Sequence, residues 1–378
     1  MRVVDVTQWW SPTSGGIRTY LMAKARFAAG AGLAHAAIVT GARPAVLTVG
    51  ASPIVAVRGR TPDERWGYRL APLPGPVLAE LDRLEPDVVV MHDRLAFPRA
   101  IRRWAAGRGV AVAMFCHSDL ALGAARLPEA IARPARGLLR LVQRRALGAV
   151  RTVLVASRAS EARIAGDVRG RLVHAPLGVD LHPFGGARPD PALRATLAPP
   201  DAPLLLHAGR LSGDKRVDLL PPALAALARV APGPGGRAVL AVAGAGAAEG
   251  SLRRAAARLG VADRMVFLGH VADRGRLAAL MATADCFVHP NPSEPYGLCP
   301  LEALAAGCRV VAPASEGCEE NLAGRGAVLV APGDPAALAA GVARALALPR
   351  PRPDLSGLSW EAAFASEWDL YREIVGIR

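Results

Sequence analysis

With 378 residues, the chain is longer than one hydrophobic core ordinarily serves, and two domains of roughly 180 residues each are expected. A hydrophobic content of 52% with 21% charged residues excludes a disordered chain, and no apolar run reaches the roughly 18 residues that a membrane-spanning helix needs. The net charge of +14 is carried almost wholly by arginine; it suits an anionic membrane surface or an acidic substrate, or reflects biased composition, whereas nucleic acid is not an expected partner because no binding signature occurs and aromatic residues make up 4%.

In chain order, the first half alternates short β runs with helical stretches. Residues 3–7, 36–40, 87–91, 110–115 and 152–156 read as strands with few polar interruptions, as strands buried on both faces of a parallel sheet do. Helical patterns at 17–29 and 98–106 lie between them, so the spacing predicts a doubly wound α/β sheet. Residues 1–6 already read as strand, so no leader segment is expected. After the first strand the chain passes Trp9, Trp10 and the pair Gly15-Gly16, then enters a helix with Arg18 in its first turn. Glycines ahead of a helix let the backbone approach a phosphate; they serve a plain strand-to-helix turn equally well, and the G-x-G-x-x-G spacing of a dinucleotide site is absent. Trp9 and Trp10 either line an acceptor pocket or cap the core. His92-Asp93 and His117-Ser118-Asp119 each follow a strand, where open α/β sheets bind ligands, although a lone histidine is as readily structural. Residues 134–147 predict a helix with Arg136, Arg140 and Arg144 at four-residue spacing beside Leu138, Leu141 and Val142. Such a face suits an anionic membrane or plain solvent.

Gly178-Val179-Asp180 follows a strand at 171–174, and residues 181–203, rich in Pro and Gly, read as the interdomain linker. The α/β rhythm then restarts. Strands are expected at 204–208, 238–243, 265–268, 286–289, 309–312 and 327–330, and helices at 217–229, 248–259, 275–283, 298–306 and 335–346. A longer amphipathic helix at 360–377 closes the chain. The loop Gly209 to Lys215 joins a strand to a helix. Arg210 as a planar fork and Lys215 as a point charge can neutralise a diphosphate, although a solvated loop pair would look the same. Lys24 and Lys215 are the two lysines of the chain, which makes the placement of Lys215 informative. The cysteines (Cys116, Cys286, Cys299, Cys308, Cys318) are odd in number and form no C-x-x-C, which reads as reduced thiols of a cytoplasmic protein.

The most informative stretch runs from Ser293 to Gly307. Glu294 lies in a loop and Glu302 on the following helix, with Gly297 between them. A helix N-terminus attracts phosphate, and two carboxylates flanking it suit the hydroxyls of a sugar and a ribose, which reads as a nucleotide-sugar site. Taken singly, either acid is more simply a solvated glutamate; the company of Arg210 and Lys215 carries the reading.

Jointly these residues resemble the retaining GT-B glycosyltransferases of family 4, the glycogen-synthase-like and mannosyltransferase-like group. The shared motifs span nearly the whole chain: Gly15-Gly16, His117, Gly178-Val179-Asp180 with Phe184, Gly209-Arg210 with Lys215, Gly244-Ala245-Gly246, Phe267-Leu268-Gly269, the Glu294 and Glu302 pair, and residues 315–320. The resemblance implies a GT-B fold, two Rossmann-like doubly wound domains facing a central cleft. Residues 1–183 would form an acceptor-binding domain, onto which the C-terminal helix at 358–378 packs back, and residues 184–357 a nucleotide-sugar-binding domain. Glu302 would hold the ribose hydroxyls. Arg210 and Lys215, with the helix N-terminus near Leu298, would hold the diphosphate. Glu294 and the backbone at Tyr296, Gly297 and Leu298 would hold the transferred sugar. Gly15 and Gly16 would approach the phosphates, His117 would sit by the reacting face of the sugar, and the base would lie near Phe267 to Val271. His117, Glu294, Arg210 and Lys215 are then the catalytic set, with Trp9 and Trp10 on the acceptor side.

The implied activity is retaining transfer of a hexose from GDP-mannose or a UDP-hexose such as UDP-glucose to a glycan, glycolipid or other hydroxyl acceptor. It would take place in the cytoplasm or at the inner face of the plasma membrane. No D-x-D pair for a bridging metal occurs and two cations can replace one, so neither metal nor other cofactor is expected. The alternatives are a catalytically silent nucleotide-sugar-binding subunit and a GT-B epimerase or phosphorylase. The chain departs from the family at Ser212-Gly213-Asp214, where Pro-Glu is common, and at Arg216 in place of Gly. Residues 316–320 lack the Gly-Gly-x-Pro-Glu form and keep its acid as Glu320. These departures bear on donor geometry.

Overall fold

The computed structural model describes residues 1–11, 16–61, 68–94, 97–117, 129–231 and 233–376. It divides into two units, Met1–Gly178 with Trp360–Arg378, and Val179–Ser359. The first is built on β1 (Arg2–Val6), β2 (Ala34–Gly41), β3 (Ala45–Val49), β4 (Ser52–Arg58), β5 (Val88–Met91), β6 (Ala111–Cys116), β7 (Thr152–Val155) and β8 (Arg171–His174). Their order is β3-β4-β2-β1-β5-β6-β7-β8, parallel throughout except for the β3/β4 hairpin at one edge. β5 and β7 are buried along their whole length, as apolar runs in a parallel sheet with both faces covered should be. β1 pairs with β2 on one side and β5 on the other, so the order reverses there and the loops after β1 and β5 flank the switch point.

The hairpin was not expected from the sequence. Residues 45–49 present no buried face, and Val46 and Leu47 are exposed, so the pattern that reveals a covered strand is missing. The helix expected from residue 134 begins earlier, at Glu129, and runs to Leu147 with Pro134 inside it; Leu138 and Leu141 on it are exposed. No helix among the described residues is long and apolar enough to cross a membrane.

The second unit is built on β9 (Leu204–Ala208), β10 (Val239–Ala243), β11 (Met265–Gly269), β12 (Cys286–Val288), β13 (Arg309–Pro313) and β14 (Val328–Val330). The order β11-β10-β9-β12-β13-β14 is the doubly wound order 3-2-1-4-5-6, all parallel, with its switch point between β9 and β12. Residues 181–203 are folded structure rather than a linker. They form the helices Leu181–Gly185 and Pro191–Leu197, with Phe184 fully buried and Asp190 capping the second helix through Ala192 and Leu193 N–H. The unit boundary falls at 178/179 instead of 183/184 for a local reason. Val179 N–H donates to Leu358 O at 2.7 Å, and the helix Leu181–Gly185 runs through position 183.

The C-terminal helix, Trp360–Ile374, belongs to the first unit and lies on the helix Gly16–Gly30. Phe364 and Trp368 stand 5.6 and 5.7 Å from Phe27, ring centre to ring centre, and Tyr371 is buried beside them. Each such ring removed from water contributes ~1.5–3 kcal/mol, enough to secure a terminal helix.

Candidate functional site

In the second unit the loops after β9 and β12 carry the charged residues. The loop after β9 is zipped to the one after β10: Gly209 N–H donates to Ala243 O and Leu211 N–H to Ala245 O, both at 3.0 Å, and Ala248 N–H donates to Leu211 O at 2.9 Å. Arg210 is thereby held at the surface, its side chain 43% exposed and 3.2 Å from Asp214. Lys215 closes the turn Gly213–Lys215 and places Nζ 3.1 Å from Glu294 Oε2. Arg216, at the position where glycine is common in the family, has φ +48, in the left-handed region that glycine enters freely and arginine enters at about 1 kcal/mol or more.

Glu294 gathers that loop onto the β12 side. Its Oε2 accepts from Asn291 Nδ2 at 2.9 Å and lies 3.3 Å from His289 Nε2, while Oε1 accepts from Gly297 N–H at 3.3 Å. Burial alone would raise the Glu294 carboxyl; Lys215, His289 and Asn291 outweigh it and hold the group well below the usual carboxylate range. Gly297 caps the helix Leu298–Ala305 at φ +93, and its N–H is already committed to Glu294. Tyr296 is buried, and its carbonyl accepts from Asn321 Nδ2 at 2.9 Å, so its ring does not line an open surface. Gly317, on the helix Glu316–Leu322, presses on this loop: a Cβ there would stand 2.4 Å from Pro295 C and 2.5 Å from Tyr296 N. The sequence reading passed over Gly317 as part of a divergent segment, yet only glycine fits.

Glu302, on the helix Leu298–Ala305, is buried. Its Oε1 accepts from Arg274 at 2.7 Å, the Cys299 thiol also bonds the carboxyl, and among the described residues its buried Oε2 has no nitrogen or oxygen donor. Burial raises its carboxyl above the ordinary value in spite of Arg274. An unmet buried acceptor costs about 1–3 kcal/mol, so a hydroxyl donor arriving at Oε2 would relieve it. Arg274, absent from the sequence reading, also lies 3.9 Å from Asp180 and 4.7 Å over the Phe184 ring. Phe267 is half-buried with the Arg253 guanidinium 4.0 Å above its ring, and Leu298 and Val271 are half-buried. Among the described residues no group of three or more His, Cys, Asp or Glu is arranged to hold a metal ion.

In the first unit, His117 directly follows β6 and is half-buried, stacked 4.5 Å from Phe115. Burial, then the neighbouring His92 and Arg94, hold it well below the ordinary imidazole range. His92 follows β5 as the sequence reading has it and takes the structural alternative, fully buried with Nε2 2.8 Å from Asp5 Oδ1. Asp93 pins the tryptophan loop: its Oδ2 accepts from Gln8 N–H at 2.6 Å, and burial pushes its carboxyl up to about 7. Trp9 and Trp10 are half-buried and partnered, Trp9 edge-on to Tyr68 at 5.5 Å and Trp10 under Arg18 at 5.7 Å. Gly16 opens the helix Gly16–Gly30, is exposed, and among the described residues nothing lies within 4 Å of where a Cβ would be. Gly15, Ser118 and Asp119 lie outside the described residues.

Residues 14–182 match the family model described as Glycosyltransferase Family 4, and residues 202–347 the one described as Glycosyl transferases group 1. A GDP-mannose-dependent alpha-(1-6)-phosphatidylinositol dimannoside mannosyltransferase of Mycobacterium tuberculosis is 34% identical over 82% of this chain and 79% of its own. D-inositol 3-phosphate glycosyltransferase 2 of Catenulispora acidiphila is 36% identical over 57% of this chain and 54% of its own. Among solved structures, sucrose-phosphate synthase from Thermosynechococcus elongatus matches with a TM-score of 0.83 at 22% identity, covering 100% of both chains. HepE of Anabaena, in complex with UDP and glucose, matches at 0.68 and 19% identity, covering 100% of this chain and 97% of its own. These structural likenesses show the fold, which is GT-B.

Proposed function

The chain belongs to glycosyltransferase family 4, and on that premise we propose that it transfers mannose from GDP-mannose to a hydroxyl of a glycan or glycolipid, with retention of configuration and without a metal ion. That it is a hexosyltransferase follows from its relatives; donor, stereochemistry and metal independence are our reading. The observation that carries it is the charge arrangement at the second unit's switch point, where two part-exposed cations, Arg210 and Lys215, stand in loops that also position Glu294. As the glycosidic bond to the donor breaks, negative charge grows on the departing diphosphate. Fixed cations stabilise that charge, and each such group contributes about a hundredfold to a thousandfold in rate. Lys215 needs no reorganisation, because Glu294 already holds it at 3.1 Å.

Glu302 Oε2 supports the ribose assignment, being a buried acceptor with no nitrogen or oxygen donor among the described residues. In this reading Glu294 and the backbone around Leu298 meet the sugar, and His117 is assigned to its reacting face. The acceptor hydroxyl attacks from the side the diphosphate leaves, and its proton passes to the departing phosphate oxygen, which accounts for retention. The mannose donor is supported by the GDP-mannose-dependent mannosyltransferase that is 34% identical to this chain.

Calorimetric titration of the protein with GDP-mannose and with UDP-glucose, EDTA present, tests this. Binding of GDP-mannose alone is expected, weakened about tenfold to a hundredfold in Glu302→Gln, the range for one hydrogen bond to a charged group. Binding that requires a divalent ion would sink metal independence, and preference for UDP-glucose would sink the donor. Binding without any turnover across glycan and glycolipid acceptors would favour the silent subunit.

A further inference from the structure

A chain of hydrogen bonds in the first unit runs from its core to His117. Asp5, on β1 and fully buried, has Oδ2 2.8 Å from His35 Nε2, and Oδ1 3.0 Å from Lys24 Nζ and 2.8 Å from His92 Nε2. His92 Nδ1 in turn lies 2.8 Å from His117 Nε2. The His117 ring is clamped between Phe115, stacked at 4.5 Å, and the edge of Tyr20 at 5.5 Å.

With a single proton on His92, the hydrogen-bond directions follow outward from Asp5. Burial favours a protonated Asp5, but Lys24, His35 and His92 outweigh it and keep the carboxyl well below its usual range. A carboxylate only accepts, so His92 donates from Nε2. Lys24 stands between Asp5 and Glu367, 3.0 and 3.2 Å from their oxygens; a His92 whose one proton is on Nε2 carries a lone pair on Nδ1. That lone pair accepts a hydrogen bond from His117 Nε2–H. An imidazole with one proton, carried on Nε2, has its lone pair on Nδ1. His35 follows the same pattern, with Nε2 directed at Asp5 and Nδ1 buried without a partner among the described residues.

We propose that Asp5 and His92 are positioning residues that lock His117 in its Nε2–H tautomer, so that Nδ1 is presented as an acceptor and selects a substrate hydroxyl over an oxyanion. A hydroxyl can donate to that lone pair; a phosphate or carboxylate oxygen would oppose it. The identity of the group that meets Nδ1 rests on the assignment of His117 to the sugar, whereas the tautomer does not.

The test is the ring ¹H–¹⁵N correlation spectrum of the full protein labelled with ¹⁵N-histidine, the His117 signals being identified by their loss in His117→Gln. At neutral pH a proton on Nε2 and none on Nδ1 is expected in the unaltered protein. In His92→Phe the acceptor is gone, and His117 should populate both tautomers. Transfer should then fall about tenfold to a hundredfold in kcat, the range for one misdirected hydrogen bond, with binding of free nucleoside diphosphate unchanged. A proton on His117 Nδ1 in the unaltered protein overturns the proposal, and this arm does not depend on any variant folding. An unshifted tautomer in folded His92→Phe also overturns it. The expected tautomer together with full turnover by His117→Ala would overturn the sugar assignment and leave the lock standing.

Discussion

Around β1 and β5 the first unit buries Lys24, Asp5 and Glu367 completely, whereas around β9 and β12 the second unit keeps its cations at the surface. Lys24 is 0% exposed, with carboxylate oxygens of Asp5 and Glu367 at 3.0 and 3.2 Å. The hydroxyls of Tyr20 and Tyr371 accept from it and donate to Glu367. Lys215 and Arg210, by contrast, have side chains 30% and 43% exposed. Both units share the strand order of a doubly wound sheet. The same topology therefore supports two uses of charge: a sealed set that fixes geometry, and an open set with capacity left for a ligand's charge.

The sharpest way to break that contrast is Lys24→Met. It leaves Asp5 and Glu367 buried without their cation, and removing one partner of a buried pair costs about 3–5 kcal/mol. Lys215→Met should cost less than about 1 kcal/mol of stability, because its charge is partly solvated, while transfer falls sharply. Urea unfolding of both proteins decides the matter. If Lys24→Met is the milder change, the sealed set is not structural.

A smaller effect is expected at glycine. Gly317→Ala puts a Cβ 2.4 Å from Pro295 C, so the loop carrying Glu294 must shift, at about 1–3 kcal/mol, with donor affinity reduced in parallel. Gly16→Ala in the first unit meets nothing within 4 Å among the described residues and should leave the unfolding midpoint unchanged. Equal midpoints for the two variants would show that residues 294–296 yield freely.

What the sequence made legible follows from burial and from proximity along the chain. β5 and β7 are continuous apolar runs because both their faces are covered, and they were readable for that reason. The hairpin of β3 and β4 has exposed apolar residues on its outer strand, and periodicity cannot see it. The helices Leu181–Gly185 and Pro191–Leu197 are each shorter than the window that reveals a helical period, and Pro183 and Pro191 read as loop signals. Glu294 and Glu302 were visible because one contiguous motif carries them. Arg274 was not, because it meets Glu302 from 28 residues away. Glu367, 347 residues from Tyr20, was out of reach of any local pattern. Lys24 did leave a trace, as one of two lysines in an arginine-rich chain.

The smallest substitution effect, at Glu294, is one of pH, and its sign is opposite to that of Asp93 in the first unit. Asp93 in the first unit has its folded value raised to about 7 from 3.8, so the folded state binds the extra proton and stability from this group declines as pH rises through that interval. Glu294 in the second unit is depressed instead, burial being outweighed by Lys215, His289 and Asn291. Its contribution is present above the ordinary carboxylate value and is lost as pH falls through the folded value. Glu294→Gln should therefore be about 1 kcal/mol less stable than the unaltered protein at neutral pH, the scale of a partly solvated ion pair. The difference should close as pH is lowered below the ordinary glutamate range, because the unaltered protein loses what the variant never had. Urea midpoints for both proteins, measured from neutral pH into the acid range, check this. A gap that stays constant with pH would mean that Glu294 acts by shape and hydrogen bonding alone, and that Lys215 is held in place by something other than its charge.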